Sequence, residues 1–476
     1  MREARAGSRT AVIMEEIRTR ISSRVLSAGD RLPSVRGFAA TMGVSPSTVV
    51  EAYDRLAAEG LIKARVGSGF YVTRASAPLA LAPRGSSIDR AIDPFWVSRL
   101  SLDADPAAVK PGCGWLPDDW MPNGAIQKAM RALAKDTSGV LTEYGPTRGL
   151  RLLRLLLARR FAGEELHVDP DQILLTGSGT QAIDLLCRLL LRPGDTVVVD
   201  DPCYFNFRAT LRAHQAHVVG VAMTPAGPDV EAFRQAVERY QPRLYVTNSA
   251  IHNPTGATLS PQIAHQVLTE ASAHDVTVIE DDIFTDFEPE PSPRLAVLDG
   301  LSRVIRIGSF SKPLSASVRC GYIAAKPELI EGLIDLQVAS SFSAVSPMAA
   351  QLVHDVLSDG GYRKHVQGLH RRLAHARQSV AAQLNALGMA IWTTPRGGFY
   401  LWASLPDGQD AAAVARIALR EGVVLAPGNV FSPSATATSF MRFNVTQMGG
   451  MRSLDVIANA MAVEGLEKPD EVRIRR

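Results

Sequence analysis

No apolar run in this sequence approaches the roughly 18 residues that suggest a membrane span, which argues against a transmembrane helix. The stretch that follows Met1 is polar and Arg-containing, without the apolar centre of a secretory signal. Cysteine is scarce. Cys113, Cys187, Cys203 and Cys320 stand far apart, with no close pair to hold a metal, and read as reduced, mostly structural thiols. These absences set the expectation of a cytoplasmic protein. There is no internal repeat and no low-complexity tract, which leaves a chain of globular domains.

What is present fits that outline. At 476 residues, 46% of them hydrophobic, the chain is long enough for two or three domains with sizeable cores. The net charge of +3 is unevenly placed. Residues 1–75 hold 12 Lys and Arg against 7 Asp and Glu, whereas the rest holds 39 against 41. A basic excess confined to the first sixth of the chain favours a nucleic-acid partner for that segment.

Ile13, Ile17, Ile21 and Val25 recur at helical spacing over residues 11–26. Ser34 is placed to cap a short helix through Met42. Gly43-Val44-Ser45 breaks it, and Pro46 opens a second helix that runs to Glu59. Leu61–Thr73 reads as two short strands around Gly67-Ser68-Gly69. Val44, Val49, Leu56 and Leu61 are core candidates. From residue 76 to 108 the periodicity fades, and this stretch is expected to be a linker. Beyond it, apolar strands near Ile173–Thr176, Thr196–Val199, Arg243–Thr247, Val276–Ile279 and Val304–Ile307 alternate with helices such as 180–191. That alternation predicts an α/β domain over 109–470 with a mainly parallel, two-sided sheet. A polar helix at 361–385 and strands at Gly398–Trp402 and Phe440–Val445 predict a small C-terminal α+β subdomain from about residue 355.

The ordered pattern Gly29-x-Arg31-Leu32-Pro33-Ser34-x-Arg36, Gly43-Val44-Ser45-Pro46-Ser47-Thr48, Ala52-Tyr53, Glu59-Gly60 and Gly67-Ser68-Gly69-Phe70-Tyr71-Val72 resembles the winged helix-turn-helix of the GntR family. The resemblance implies binding to double-stranded operator DNA. Short hydroxyl side chains, Ser47 and Thr48, stand at the first turn of a helix that would enter the major groove. Arg36 would reach phosphate or a guanine edge. Gly67, at the tip of the wing, would let the backbone approach the sugar-phosphate chain.

Ser309-Phe310-Ser311-Lys312-Pro313 with Arg319-Cys320-Gly321 resembles the lysine motif of fold-type-I pyridoxal-phosphate enzymes. The rest of that family's pattern follows in order. The resemblance implies that Lys312 carries pyridoxal 5'-phosphate as an aldimine and that Asp281 pairs with the ring nitrogen. It gives Asn253 the phenolic oxygen and Tyr204 the ring face. Ser178, Gly179, Thr180, Ser309 and Arg319 would hold the phosphate. Arg442 would take a substrate or effector carboxylate. Tyr144 would reach the phosphate of the neighbouring subunit in a head-to-tail homodimer.

A GntR-type winged helix fused to an aminotransferase-like domain is similar to the MocR subfamily of regulators. The resemblance implies a DNA-binding transcriptional regulator that senses an amino acid or amine and controls metabolic, here catabolic, genes. The alternative is a working aminotransferase with an ancillary winged helix. Two departures argue against full turnover. Asp281-Asp282-Ile283-Phe284 lacks the family's tyrosine hydroxyl, and Pro313 replaces a hydroxyl and removes an N–H beside the lysine.

The winged-helix reading makes a direct prediction. Binding of the full chain to duplex DNA from its own upstream region falls steeply with salt, because neutralised phosphates release counterions. Arg36→Ala lowers that affinity by roughly 1–3 kcal/mol if a base edge is lost with it. A mobility-shift titration that finds the variant unchanged removes Arg36 from the interface.

Overall fold

Isoleucines four residues apart make the first helix one-sided. In α1 (Arg9–Ser22) Ile13 and Ile17 are fully buried and Ile21 packs at the margin. The structure, a computed structural model, describes residues 9–22, 26, 29–65, 69–73, 99, 101–103, 105 and 107–467. They belong to two units, 1–90 and 91–476. Val25, Gly67 and Ser68 lie outside the described residues, as does most of the 76–108 segment.

In the N-terminal unit, α2 (Val35–Met42) is capped by the Ser34 hydroxyl, which accepts from the Gly37 amide at 3.1 Å. It ends on Gly43 in the left-handed conformation, φ 62°. The third helix, α3 (Pro46–Ala58), starts on proline with Ser45 as its cap. Its Val49, Ala52, Tyr53 and Leu56 are buried against α1 and α2, and the Tyr53 hydroxyl donates to the Pro33 carbonyl at 3.0 Å. Val44 and Leu61 pack at the edge of the same core. Strands β1 (Ile62–Arg65) and β2 (Gly69–Val72) pair antiparallel with Ile62 opposite Val72, so both apolar ends face the helices.

The larger unit is built on an eight-stranded sheet. Its strands are β3 (Ile173–Thr176), β4 (Thr196–Asp201), β5 (His217–Thr224), β6 (Gly227–Pro228), β7 (Leu244–Thr247), β8 (Thr277–Asp281), β9 (Val304–Ser309) and β10 (Gly321–Ala324). The order is β3-β10-β9-β8-β7-β4-β5-β6, and the central run β9-β8-β7-β4-β5 is parallel. Apolar clusters cover both of its faces. The antiparallel β10 enters between β9 and β3, a crossing that alternation in the sequence did not reveal. Gly321 is needed there: a Cβ would stand 2.8 Å from the Gly308 carbonyl oxygen and 2.8 Å from the Ser178 carbonyl carbon.

A second sheet, antiparallel, comprises β11 (Ala390–Ile391), β12 (Tyr400–Ser404), β13 (Ala426–Pro427) and β14 (Phe440–Asn444) in the order β11-β12-β14-β13. It packs with the helices Gly360–Ala386, Ala411–Arg420 and Met451–Glu467. The chain at 109–112 is zipped onto this part: Val424 N–H donates to the Val109 carbonyl and Gly112 N–H to the Val424 carbonyl, both at 2.9 Å. Among the described residues no helix is long and apolar enough to cross a membrane.

Strand alternation decides the fate of three adjacent acids at the end of β8. Glu280 and Asp282 face away from Asp281. Glu280 accepts from the Leu295 and Ala296 amides at 2.8 Å, capping the start of a short helix. Asp282 is fully buried between Arg294, whose Nε is 2.8 Å away, and Arg306, and Arg306 also meets Glu164 at 2.7 Å. Removing one member of such a buried network strands the others. Asp282→Ala is therefore expected to lower the stability of this unit by about 3–5 kcal/mol, read from urea unfolding, while Asp282→Asn costs less.

Candidate functional site

The C-terminal ends of parallel strands are where a doubly wound sheet opens a crevice. Here β8 delivers Asp281 and the turn after β9 delivers Lys312. The turn after β3 leads into the helix Gly179–Leu190. These meet β12 and β14 of the second sheet around a cleft of roughly 970 Å³, its open mouth included. Of the residues expected from sequence, Ser178, Gly179, Thr180, Tyr204, Asn253, Asp281, Lys312, Arg319 and Arg442 all line it.

Lys312 is half-buried, and its Nζ donates to the Gly114 carbonyl at 2.5 Å. Burial, helped by the positive charge of Arg442, brings its pKa down to about 8. Burial likewise raises the Asp281 carboxyl to about 7, against the pull of the Ile283 amide that donates to its Oδ1 at 3.2 Å. Ser178 caps the helix by accepting from the Gln181 amide at 3.0 Å, leaving the helix start with the residual positive potential of its first N–H groups. Thr180 Oγ1 accepts from Asn206 at 3.3 Å. Arg319 reaches the cleft from a left-handed backbone, φ 53°, uncommon for a residue with a side chain.

Arg442 is 1% exposed. Its Nη1 donates to Asn253 Oδ1 at 2.9 Å and its Nη2 to the Gly112 carbonyl at 2.7 Å, and Nε is buried without a partner among the described residues. The guanidinium lies over the Tyr400 and Phe431 rings, 4.2 and 4.9 Å to their centroids. No carboxylate pairs with it among the described residues.

Two expected residues stand apart. Ser309 lies under the cleft with its hydroxyl bonded to Ser311 Oγ at 3.0 Å and to the Cys320 carbonyl at 3.2 Å, and Ser311 lines the cleft instead. Tyr144 is 78% exposed, its ring edge-on to Phe342 at 4.9 Å, outside the cleft of its own chain. In the N-terminal unit Arg36 is exposed, and the Ser47 and Thr48 hydroxyls are held by Ser45 Oγ at 2.8 and 2.7 Å.

Sequence reasoning missed Ser101, Gly112, Gly114, Trp115, Asn248, Ser311 and Tyr400 in the cleft wall. Asn248, which follows β7 directly and donates to the Asp281 carbonyl at 3.0 Å, carried a usable signal: it ends a parallel strand beside Asp281. Tyr400 supplies a hydroxyl to a cleft whose Ile283 and Phe284 have none.

The cleft fits pyridoxal phosphate on its own features. It holds an amine of lowered basicity, a buried carboxyl with no salt bridge among the described residues, and a helix N-terminus.

Comparison with known proteins agrees with both units. Residues 9–72 match the family described as bacterial regulatory proteins, gntR family, and residues 116–457 match aminotransferase class I and II. The chain is 31% identical over 454 residues to a protein of Escherichia coli K12 described as an uncharacterized HTH-type transcriptional regulator, YdcR, covering 92% of this chain and 95% of that one. It is 25% identical over 380 residues to the HTH-type transcriptional regulator NorG of Staphylococcus aureus USA300, covering 78% and 86%. The 2-aminoadipate transaminase of Thermus thermophilus is 27% identical over 356 residues, covering 72% and 87%. Among solved structures, LysN, an α-aminoadipate aminotransferase from the same organism, superposes with a TM-score of 0.71 at 24% identity over 80% of this chain and 98% of that one.

The raised Asp281 proton affinity has a measurable sign. In the cofactor-free protein the folded state keeps a proton that the unfolded chain loses from about pH 4 upward. Wild type therefore loses stability as pH rises from about 4 to about 7. Asp281→Asn removes that dependence and is expected to gain on wild type by on the order of 2–4 kcal/mol across the window. Urea midpoints measured at a series of pH values check it, and parallel curves for the two proteins contradict it.

Proposed function

The chain belongs to the MocR subfamily of gntR-family transcriptional regulators, a winged helix joined to an aminotransferase class I and II domain, and we propose that it regulates transcription in response to an amine or amino acid met in a pyridoxal-phosphate-loaded cleft. The observation that carries this reading is the convergence of Lys312, Asp281, the Ser178–Thr180 helix start and Arg442 on one cleft, in a chain that also bears a DNA-binding fold.

The cofactor, when bound, supplies an aldehyde carbon to which amines attach reversibly and a ring that withdraws electrons. Each residue has a part in holding it. Lys312 Nζ is the covalent anchor. Asp281 keeps a proton at the ring nitrogen, Asn253 directs its free amide to the phenolic oxygen, and Tyr204 covers the ring face. The Ser178–Thr180 turn, Arg319 and Ser311 bind the phosphate, and Ser309 supports the Ser311 hydroxyl from beneath. Arg442 takes a carboxylate. Arg36, Ser47, Thr48 and the wing at Gly67 meet operator DNA. Tyr144, exposed on its own chain, is assigned to the cleft of a second copy in a head-to-tail homodimer. The protein acts in the cytoplasm, on genes for nitrogen-compound catabolism, because Arg442 would have no task if the cofactor alone were the signal.

This reading does not require turnover. Ile283 and Phe284 present hydrocarbon to the cleft where a proton-relaying hydroxyl would sit. Purified protein should be yellow and lose that absorbance on Lys312→Ala substitution. Incubation with the amino acid that shifts its operator affinity should give less than one keto acid per site over minutes. Rapid multiple turnover identifies an aminotransferase and ends the sensor reading.

A further inference from the structure

A buried guanidinium needs acceptors. Among the described residues Arg442 has only neutral ones, and one of them is backbone: the Gly112 carbonyl, 330 residues away in sequence. Two residues further on, the Gly114 carbonyl holds the amine of Lys312. Both carbonyls belong to one short stretch, Pro111–Trp115. Asn444 fixes that stretch from the same face of β14 as Arg442. Its amide N–H donates to the Pro111 carbonyl at 2.6 Å, and its Nδ2 to the Cys113 and Trp115 carbonyls at 3.2 and 2.8 Å. Gly112 passes so close to the neighbouring backbone that a Cβ would stand 2.4 Å from the Leu425 carbonyl carbon.

The stretch is thus seated on the two groups that a cofactor and its ligand would claim. It is also close in sequence to Ser101 and Leu102, which line the same cleft on the side of the chain leading to the winged helix. We infer that the Gly112 carbonyl is a built-in placeholder for a ligand carboxylate, and that an amine carrying a carboxylate, not a simple amine, frees Pro111–Trp115 and so passes the signal toward the linker. This deepens the reading above and rests on it for the identity of the ligand.

The energetics favour exchange. A carboxylate that takes the unpartnered Nε and the neighbouring Nη2 as a fork makes two charge-assisted hydrogen bonds. The carbonyl it displaces gave one, from a neutral acceptor. Asn253 keeps Nη1 throughout, so the guanidinium stays aimed while its other edge changes partner. A simple amine engages the Lys312 side of the cleft and leaves the Gly112 bond intact. Asn444 is a positioning residue: it presents the carbonyls and touches neither ligand.

Hydrogen–deuterium exchange of the peptide spanning residues 110–116, in the full chain loaded with pyridoxal phosphate, tests this. The probes are the common amino acids, each beside the amine left by removing its carboxylate. At least one amino acid should speed exchange about tenfold or more, the order expected for losing one charge-assisted hydrogen bond, while its amine does not. Arg442→Met should exchange fast without ligand and respond to none. An amine as effective as its amino acid overturns the inference. So does a panel in which no amino acid speeds exchange, or an Arg442→Met protein as slow as wild type. Cofactor absorbance is recorded in parallel. A chain that binds no pyridoxal phosphate defeats the reading above, while the Arg442→Met comparison still judges the Gly112 bond.

Discussion

A positive charge buried with no negative partner among the described residues is the constraint around which the larger unit is arranged. Arg442 is stacked between aromatic rings and fed by a side-chain amide and a backbone carbonyl. Each partner belongs to a different part of the chain. Asn253 follows β7 in the large sheet, Gly112 lies on the stretch zipped to the second sheet, and Tyr400 and Arg442 are neighbours across β12 and β14. These parts all meet at one guanidinium in the cleft wall. Burial, helped by that charge, lowers the neighbouring Lys312 to about 8, and burial raises Asp281 to about 7. Groups poised in this way exchange protons near neutral pH, which suits reversible amine chemistry.

The same strand geometry separates chemistry from support. At the end of β8 the middle acid faces the cleft, and its two neighbours tie the sheet to the helix and arginines on the other face. Cleft-facing and structural carboxylates thus sit side by side in sequence, and the alternation of the strand decides which is which.

Legibility followed locality. The winged helix could be read almost element by element, since Ser34, Gly43, Ser45 and Pro46 act on the turns they sit in. That Lys312, Asp281 and the Ser178–Thr180 turn meet in one cleft was readable because each ends or follows a strand. The carbonyls of Gly112 and Gly114 were not readable: a peptide oxygen has no letter in the sequence, and its partners lie some 200 and 330 residues away. Tyr400 was hidden for a related reason, because its place in the cleft depends on how the second sheet folds back. The antiparallel β10 escaped because its four buried residues carry no sign of direction.

The zipped stretch also bears on where this protein can be cut. The aminotransferase match begins at residue 116, which invites truncation there. Such a fragment would lose Val109 to Trp115 and uncover the backbone N–H and C=O of Val424 along the second sheet. It would also leave Arg442 with one acceptor instead of two. An exposed strand edge beside an unsatisfied buried charge is a recipe for self-association. A severed aminotransferase-like unit needs to start ahead of Val109 to keep that edge covered and its site in shape.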